Sequence, residues 1–325
     1  MLIGIRKMVA VYHSERWGMI SEANPNHGSI EDIILSHDGR GISALRPFLS
    51  TAFCREAAEF IMRKSRSPRK TALVTTGFFI LSARAPETDG PPGAIAIAKA
   101  LDALGFDVFL VSDRYTAPLL AIDGFRKHEV IEFPIADHEA SRRIARNILF
   151  EIKPDITIAI ERCGMTAGDK HLNMRGRDIS DFTAKVDYLF FGQENTIGIG
   201  DGGNEIGMGN LAEQVKKVPS LVPDPAVTPV NKLIISSISN WGGYGLVAAL
   251  SELSQRDLLP SVTWDRDIVT ELVARGAVDG ISGERKPAVD NLTAEQHSWV
   301  VTELRKHLLK DIAGQPVRVR RISNS

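Results

Sequence analysis

The chain has 325 residues, with 39 Lys and Arg against 40 Asp and Glu for a formal charge of −1, and it is 43% hydrophobic and 24% charged. These are globular averages: they exclude wholesale disorder, collagen-like sequence and coiled coil, and a near-neutral chain supplies no field for gathering a phosphate backbone. No apolar run reaches the ~18 residues of a membrane span, and two cysteines, Cys54 and Cys163, support neither a disulfide framework nor a cysteine zinc site.

A cytoplasmic, reducing setting is therefore expected, with no nucleic acid and no membrane as partner. Met1 to Lys7 lacks an apolar stretch after its charges, and residues 1–28 show no clean periodicity, so they read as an N-terminal extension. Ser29 to Leu35 reads as a capped helix start and Phe48 to Lys64 as a second helix, together an N-terminal helical segment flanking the first strand. That strand is Thr71 to Gly77, an apolar run of strand length, and Pro91 to Leu104 is helical. Strand and helix then alternate: strand at Asp107–Ser112, helix from Ala117 to about Arg126, strand at Glu129–Phe133, helix at His138–Phe150 and strand at Asp155–Ile160. Tyr188–Phe191, Thr196–Gly200 and Lys232–Ser236 are further strand candidates. The strands are nearly all apolar rather than alternating, as a sheet covered on both faces requires. The expectation is an α/β fold: an open, mostly parallel, doubly wound, Rossmann-like sheet with helices on both faces. Helices at Trp264–Arg275 and Thr293–Leu309 come after the sheet, the second opening on the capping pattern Thr293-Ala294-Glu295-Gln296, and residues 313–325, with Arg318, Arg320 and Arg321, form a basic tail. The α/β domain itself is expected over residues 29–312.

Ligands of such sheets bind beyond the carboxyl ends of the strands, and here those ends are polar and rich in glycine. Thr76-Gly77 ends the first strand, and Glu87-Thr88-Asp89-Gly90-Pro91-Pro92-Gly93 feeds a helix whose free N–H groups suit a carboxylate or phosphate; the alternative is an ordinary helix start capped by Asp89. Glu161 stands at the next strand exit, where it either faces the site or pairs with Arg162, and Asn173 and Arg175 lie shortly beyond it. The stretch Gly198 to Asn210 holds six glycines in thirteen residues, with Asp201, Asn204 and Glu205 among them. Such a glycine-rich loop can wrap a small molecule with N–H groups from residues such as Gly202 and Gly203, yet no lysine follows to make a phosphate loop. Ser239 to Leu246 reads as a loop before a helix over Leu246–Leu253: Trp241 would wall the site while Gly242 and Gly243 leave a helix start open to a carboxylate, or the glycines serve tight packing. Asp279 stands in another glycine-rich turn. No histidine spacing suits zinc, but the oxygens of Asp89, Glu161, Asp201 and Glu205 could share a divalent cation such as Mg or Mn, with Asp89, Asp201 and Glu205 the leading candidates.

Taken together, Glu87–Ala94, Asn173–Gly176, Gly198–Gly209, Trp241–Tyr244 and Gly276–Gly280 resemble the domain at the C-terminal end of D-glutamate cyclases, over about Ser29 to Leu309. The resemblance implies a lyase that converts D-glutamate to 5-oxo-D-proline with loss of water. It also implies a hydro-lyase-like domain ahead of this one, for which 325 residues leave no room, so a separate hydro-lyase-like partner protein is an expectation, alongside homo-oligomer formation. On this reading Glu161 or Glu205 takes the amine proton, a protonated Asp201 serves the departing oxygen, the glycine-loop N–H groups steady the oxyanion, and Arg175 or the helix starts at Gly93 and Gly243 hold the carboxylate. The competing readings are a metal-dependent hydrolase or lyase, or a non-catalytic domain binding another small acidic metabolite or a nucleotide.

Overall fold

The computed structural model describes residues 28–64, 68, 70–122 and 129–314. The expected N-terminal extension apart from Gly28, the end of the helix expected to reach Arg126, and the basic tail beyond Gly314, with Arg318, Arg320 and Arg321, lie outside the described residues; Ala313 and Gly314, expected as tail, end the last helix. Six parallel strands form the central sheet: β1 (Thr71–Gly77), β2 (Asp107–Ser112), β3 (Glu129–Glu132), β4 (Ile156–Arg162), β5 (Thr196–Gly200) and β6 (Lys232–Ile235). Their spatial order is β3-β2-β1-β4-β5-β6. Every residue of β1, β4 and β5 is buried, so both faces of the sheet centre are covered, and the unalternated apolar runs in the sequence have this cause. The order reverses between β1 and β4, which opens a crevice at their carboxyl ends.

The helices are α1 (Ile30–Ile34), α2 (Phe53–Lys64), α3 (Pro91–Ala103), α4 (Ala117–Leu120), α5 (His138–Ile152), α6 (Ala212–Val215), α7 (Ser239–Ser254), α8 (Val262–Ala274), α9 (Ala294–His297) and α10 (Trp299–Gly314). The expected capping box forms at α9, between Thr293 and Gln296, and the cap expected at α1 is also a box, between Ser29 and Asp32; the one helix expected over Thr293–Leu309 is split into α9 and α10 at Ser298. The helix expected over Phe48–Lys64 begins only at Phe53, as α2, and Phe48 ends a 3-10 turn over Ile42–Phe48.

Two expectations give way. Tyr188–Phe191 adds no strand; Val186–Leu189 is a 3-10 turn, because Asp187 is pinned by the Met165 N–H, the Thr228 hydroxyl and His171. The loop before Leu246 is already helix: α7 starts at Ser239 and is buried on all sides through Ser251, packed against α3, α2 and α10. Its glycines serve that packing. A Cβ on Gly243 would stand 3.1 Å from the Gly93 Cα, so the two helices cross where neither has a side chain.

Candidate functional site

The helix crossing fixes the two helix starts that border the crevice, and each caps the other. Asp89, just before α3, accepts N–H bonds from Ser239 and Asn240 at the start of α7, at 2.9 and 2.8 Å. Asn240 Oδ1 in turn accepts from Gly90 and Gly93 at the start of α3, at 3.0 and 2.9 Å. The N–H groups expected to hold a substrate carboxylate at Gly93 and Gly243 are thus closed off. Trp241, expected as a wall, is buried and donates its indole N–H to the His297 carbonyl, and Gly242 packs on Ser236 and Ile199. Asp89 therefore caps α7 and also accepts the Gly90 N–H, at 2.9 Å, at the entry to its own helix.

Glu161 and Arg162 leave β4 in opposite directions and do not pair. Arg162 is buried and ties the strand ends together: it donates to Asp113 at 2.6 Å, the Gly77 carbonyl at 3.0 Å and the Ala184 carbonyl at 2.8 Å. Gly77 is thereby part of the frame, and so is Thr76, whose carbonyl accepts the Ser112 hydroxyl. Glu161 has a left-handed backbone, φ +40°, which is rare for a side chain with a Cβ and concentrates at functional sites. Its carboxylate lines the cleft and accepts the Ser239 hydroxyl at 2.6 Å.

The glycine-rich loop folds back under Glu161. Residues Asn204–Ile206 pair with Arg162–Gly164 beyond the end of β4, and the fold-back needs Gly198 and Gly207, whose chains approach too closely for a Cβ on either. The loop N–H groups are occupied: Glu205 accepts from Asp201 at 3.2 Å, Gly202 at 2.7 Å and Gly203 at 2.8 Å. The expectation that they steady an oxyanion is corrected on this ground. Asn204 lines the cleft and donates to the Leu172 carbonyl.

The cleft holds about 70 Å³ of water-accessible room behind an open mouth and is lined on one side by Arg40, Glu87, Glu161 and Asn204 and at its rim by Asn173, Arg175 and Arg177. Asn173 turns the rim loop by accepting the Arg175 and Arg177 N–H groups. Asp201 lies beneath the lining, fully buried. Asp279 does not face the cleft chemistry; both its oxygens hold its own loop through Asn291, Ser282 N–H and the Ser282 hydroxyl. That loop instead presents Asp290, which sequence reasoning missed along with Arg40. Arg40 bridges Asp201 and Asp290. The motif Gly39-Arg40-Gly41 was a usable signal for an arginine on a sharp turn, and Asp38 holds that turn by accepting from Gly41, Ile42 and Ser43.

Acid outnumbers base here, and Glu87, Glu161, Asp201 and Asp290 respond by retaining protons. Burial pushes Glu161 well above the ordinary range, and Glu205, Asp89 and Glu87 push the same way against Arg40. Glu87 is pushed up by burial and by Asp290 and Asp89. Burial raises Asp201 well above its usual value despite Arg40, with Glu161, Asp290 and Asp89 adding to it, and burial carries Asp290 up to about 7. Cys163 is no nucleophile candidate: burial pushes its thiol up and away from the thiolate. Among the described residues two oxygen clusters could hold a cation, Asp89–Asp201–Asp290 and Glu161–Asp201–Glu205. The arrangement can accept a proton at one carboxyl and deliver one from another across a small cleft.

The family profile described as D-glutamate cyclase-like, C-terminal, matches residues 30–305. The human protein named D-glutamate cyclase, mitochondrial, is 31% identical over 205 residues, covering 57% of this chain and 33% of the human protein, so the chain spans about a third of that relative. A solved short-chain dehydrogenase from Streptomyces avermitilis aligns at 13% identity over 64% of this chain and 92% of its own, with a TM-score of 0.28, too low to carry an argument. Among the described residues no helix is long and apolar enough to cross a membrane.

Proposed function

The chain belongs to the D-glutamate cyclase-like, C-terminal family, and from that premise we propose that it closes D-glutamate into 5-oxo-D-proline with loss of water. The observation that carries the reading is the pair of buried, proton-retaining carboxyls, Glu87 and Glu161, lining one cleft at the point where the strand order reverses. In the reaction the α-nitrogen bonds to the carbon of the γ-carboxyl group while one oxygen of that group departs, and the two protons lost by the ammonium leave on that oxygen as water. A base and an acid are therefore needed within reach of one substrate. Glu161, ionised when substrate is bound, takes the proton from nitrogen. Glu87, protonated, gives its proton to the departing oxygen, while Asp201 lies fully buried beneath the lining. Arg175 and Arg177 at the rim anchor the α-carboxylate, and holding both ends of so small a molecule supplies much of the rate. Free, buried Cys54 and Cys163 fit a reducing, cytoplasmic setting for this chemistry.

The test is turnover by the purified chain, with 5-oxoproline followed by chiral chromatography from D- and L-glutamate. Glu161→Gln and Glu87→Gln are each expected to lower kcat by about 10²–10⁴-fold. Wild-type rates in both variants would overturn the assignment. A second reading is a glutamate-binding module working with a hydro-lyase-like partner; thermal stabilisation by D-glutamate without turnover favours it.

A further inference from the structure

Beneath the cleft, Asp89, Asp201 and Asp290 each bring an oxygen to within 4.8 Å of the others. In a cluster made only for structure every oxygen would have a donor, since a buried acceptor left bare forfeits its bonds to water. Here Asp201 Oδ2 and Asp290 Oδ1 are buried with no hydrogen-bond partner, on residues 0% and 8% exposed. Arg40 takes the other oxygen of each and so stands between the two carboxylates as a single positive charge. Asp89 completes the set from the opposite wall, held rigid by the α7 start. The neighbouring cluster holds one bare buried oxygen, that of Asp201, against two here; its Glu205 accepts three loop N–H groups, as Asp89 accepts those of Gly90, Ser239 and Asn240.

We propose that Asp89, Asp201 and Asp290 form a binding site for a divalent cation of the Mg²⁺ or Mn²⁺ class, with Arg40 as its stand-in when the cation is absent. An all-oxygen donor set of rigid carboxylates suits a hard cation rather than zinc or copper. The cation meets the two bare oxygens and displaces the guanidinium, which already lines the cleft and is 18% exposed. The consequence deepens the cyclase reading and rests on it: a substrate with two carboxylates must approach a wall of acids, and a doubly charged ion below, with Arg40 released above, offsets that repulsion.

The experiment uses the full chain stripped with a chelator, then titrated with Mn²⁺ alone while free Mn²⁺ is read by electron paramagnetic resonance. One site per chain is expected. Asp201→Asn and Asp290→Asn are each expected to weaken it by about a hundredfold or more, beyond the usual cost of losing a mere outer-shell contact. Arg40→Met is expected to tighten it, because its competitor is gone. Where a variant fails to fold, wild-type protein still decides: Mn²⁺ should broaden the ring signals of His297, which adjoins Asn240, and spare His138 on α5. Wild-type protein that leaves all Mn²⁺ free, or aspartate variants that bind like wild type, would overturn the site. No readout involves D-glutamate, so a chain that binds Mn²⁺ and turns over nothing sinks the cyclase reading and leaves this one standing.

Discussion

Glu161 and Arg162 are neighbours at the end of β4, both buried, and they belong to opposite kinds of electrostatics. On the Arg162 side opposite charges are paired, although Arg162 Nε and His171 Nδ1 are also buried without a partner: Arg162 meets Asp113 and two carbonyls, and Asp187 meets His171, Thr228 and a backbone N–H. On the Glu161 side Glu87, Asp89, Glu161, Asp201, Glu205 and Asp290 gather around Arg40, and two oxygens find no donor. The first arrangement makes structure, because a buried charge is tolerated when its partner is in place. The second lowers stability unless something arrives to balance it, which is the condition of a site that waits for a ligand.

The largest expected effect breaks the matched side. Arg162→Met leaves Asp113 buried and uncompensated and should cost about 3–5 kcal/mol in urea unfolding. The formally similar removal of a charge on the other side, Asp290→Asn, relieves surplus acid, so at neutral pH its midpoint should equal or exceed that of wild type. A comparable loss in both variants would dissolve the distinction.

Acidity separates the two sides by sign. Burial pushes Asp187 upward, but the His171, Thr228 and Met165 contacts outweigh it and hold its pKa below the usual 3.8. The folded chain then binds fewer protons there than the unfolded one, so this stabilisation is present above pH 3.8 and is lost as pH falls through the lower folded value. Asp290, raised from 3.8 to about 7, does the reverse: the folded chain keeps a proton the unfolded chain has released, so stability drains as pH rises from 3.8 towards 7. Unfolding free energies from pH 4 to 8 should therefore decline in wild type relative to Asp290→Asn.

How much of this was legible in sequence obeys the same division. The strands were legible because burial on both faces leaves unbroken apolar runs, and the glycine stretch under Glu161 was legible by composition. Tyr188–Phe191 was not, since four apolar residues carry no period that separates strand from buried turn. Ser239–Gly245 read as loop because glycine disfavours an isolated helix, whereas crossing Gly93 makes glycine the residue that fits. Arg40 is 161 residues from Asp201 and 250 from Asp290, so only the folded chain joins them. Between Asp279 and Asp290 the choice lay in backbone turn geometry: Asp290 and Asn291 both take positive φ, which carries the Asp290 carboxylate into the cluster.

A smaller effect tests the seam between the sides. Asn240→Ala removes the acceptor that caps Gly90 and Gly93 at the start of α3 and the donor to Thr88, at about 1–2 kcal/mol by analogy with lost helix caps. If the seam positions Asp89, the variant should also lose Mn²⁺ affinity while keeping the Arg162 network, seen as an unchanged acid midpoint.

The smallest effect concerns Glu161 itself, where charge and backbone strain coincide and can be separated by two substitutions. A left-handed conformation costs a residue with a Cβ about 1 kcal/mol or more, and glycine is free of that cost. Glu161→Gln keeps the strained backbone and mimics the protonated carboxyl that burial already favours, so its stability should match wild type. Glu161→Gly removes the same chemistry and also relaxes φ +40°, against some added freedom of the unfolded chain, so it should be more stable than Glu161→Gln by a few tenths to about 1 kcal/mol. Both should be inactive on D-glutamate. Equal stability of the two variants would mean that the turn is relaxed and that Glu161 faces the cleft through its neighbours' packing alone. The expected gap means instead that the fold holds this one carboxylate in place at a standing cost, on the side of β4 where charges are left unmatched.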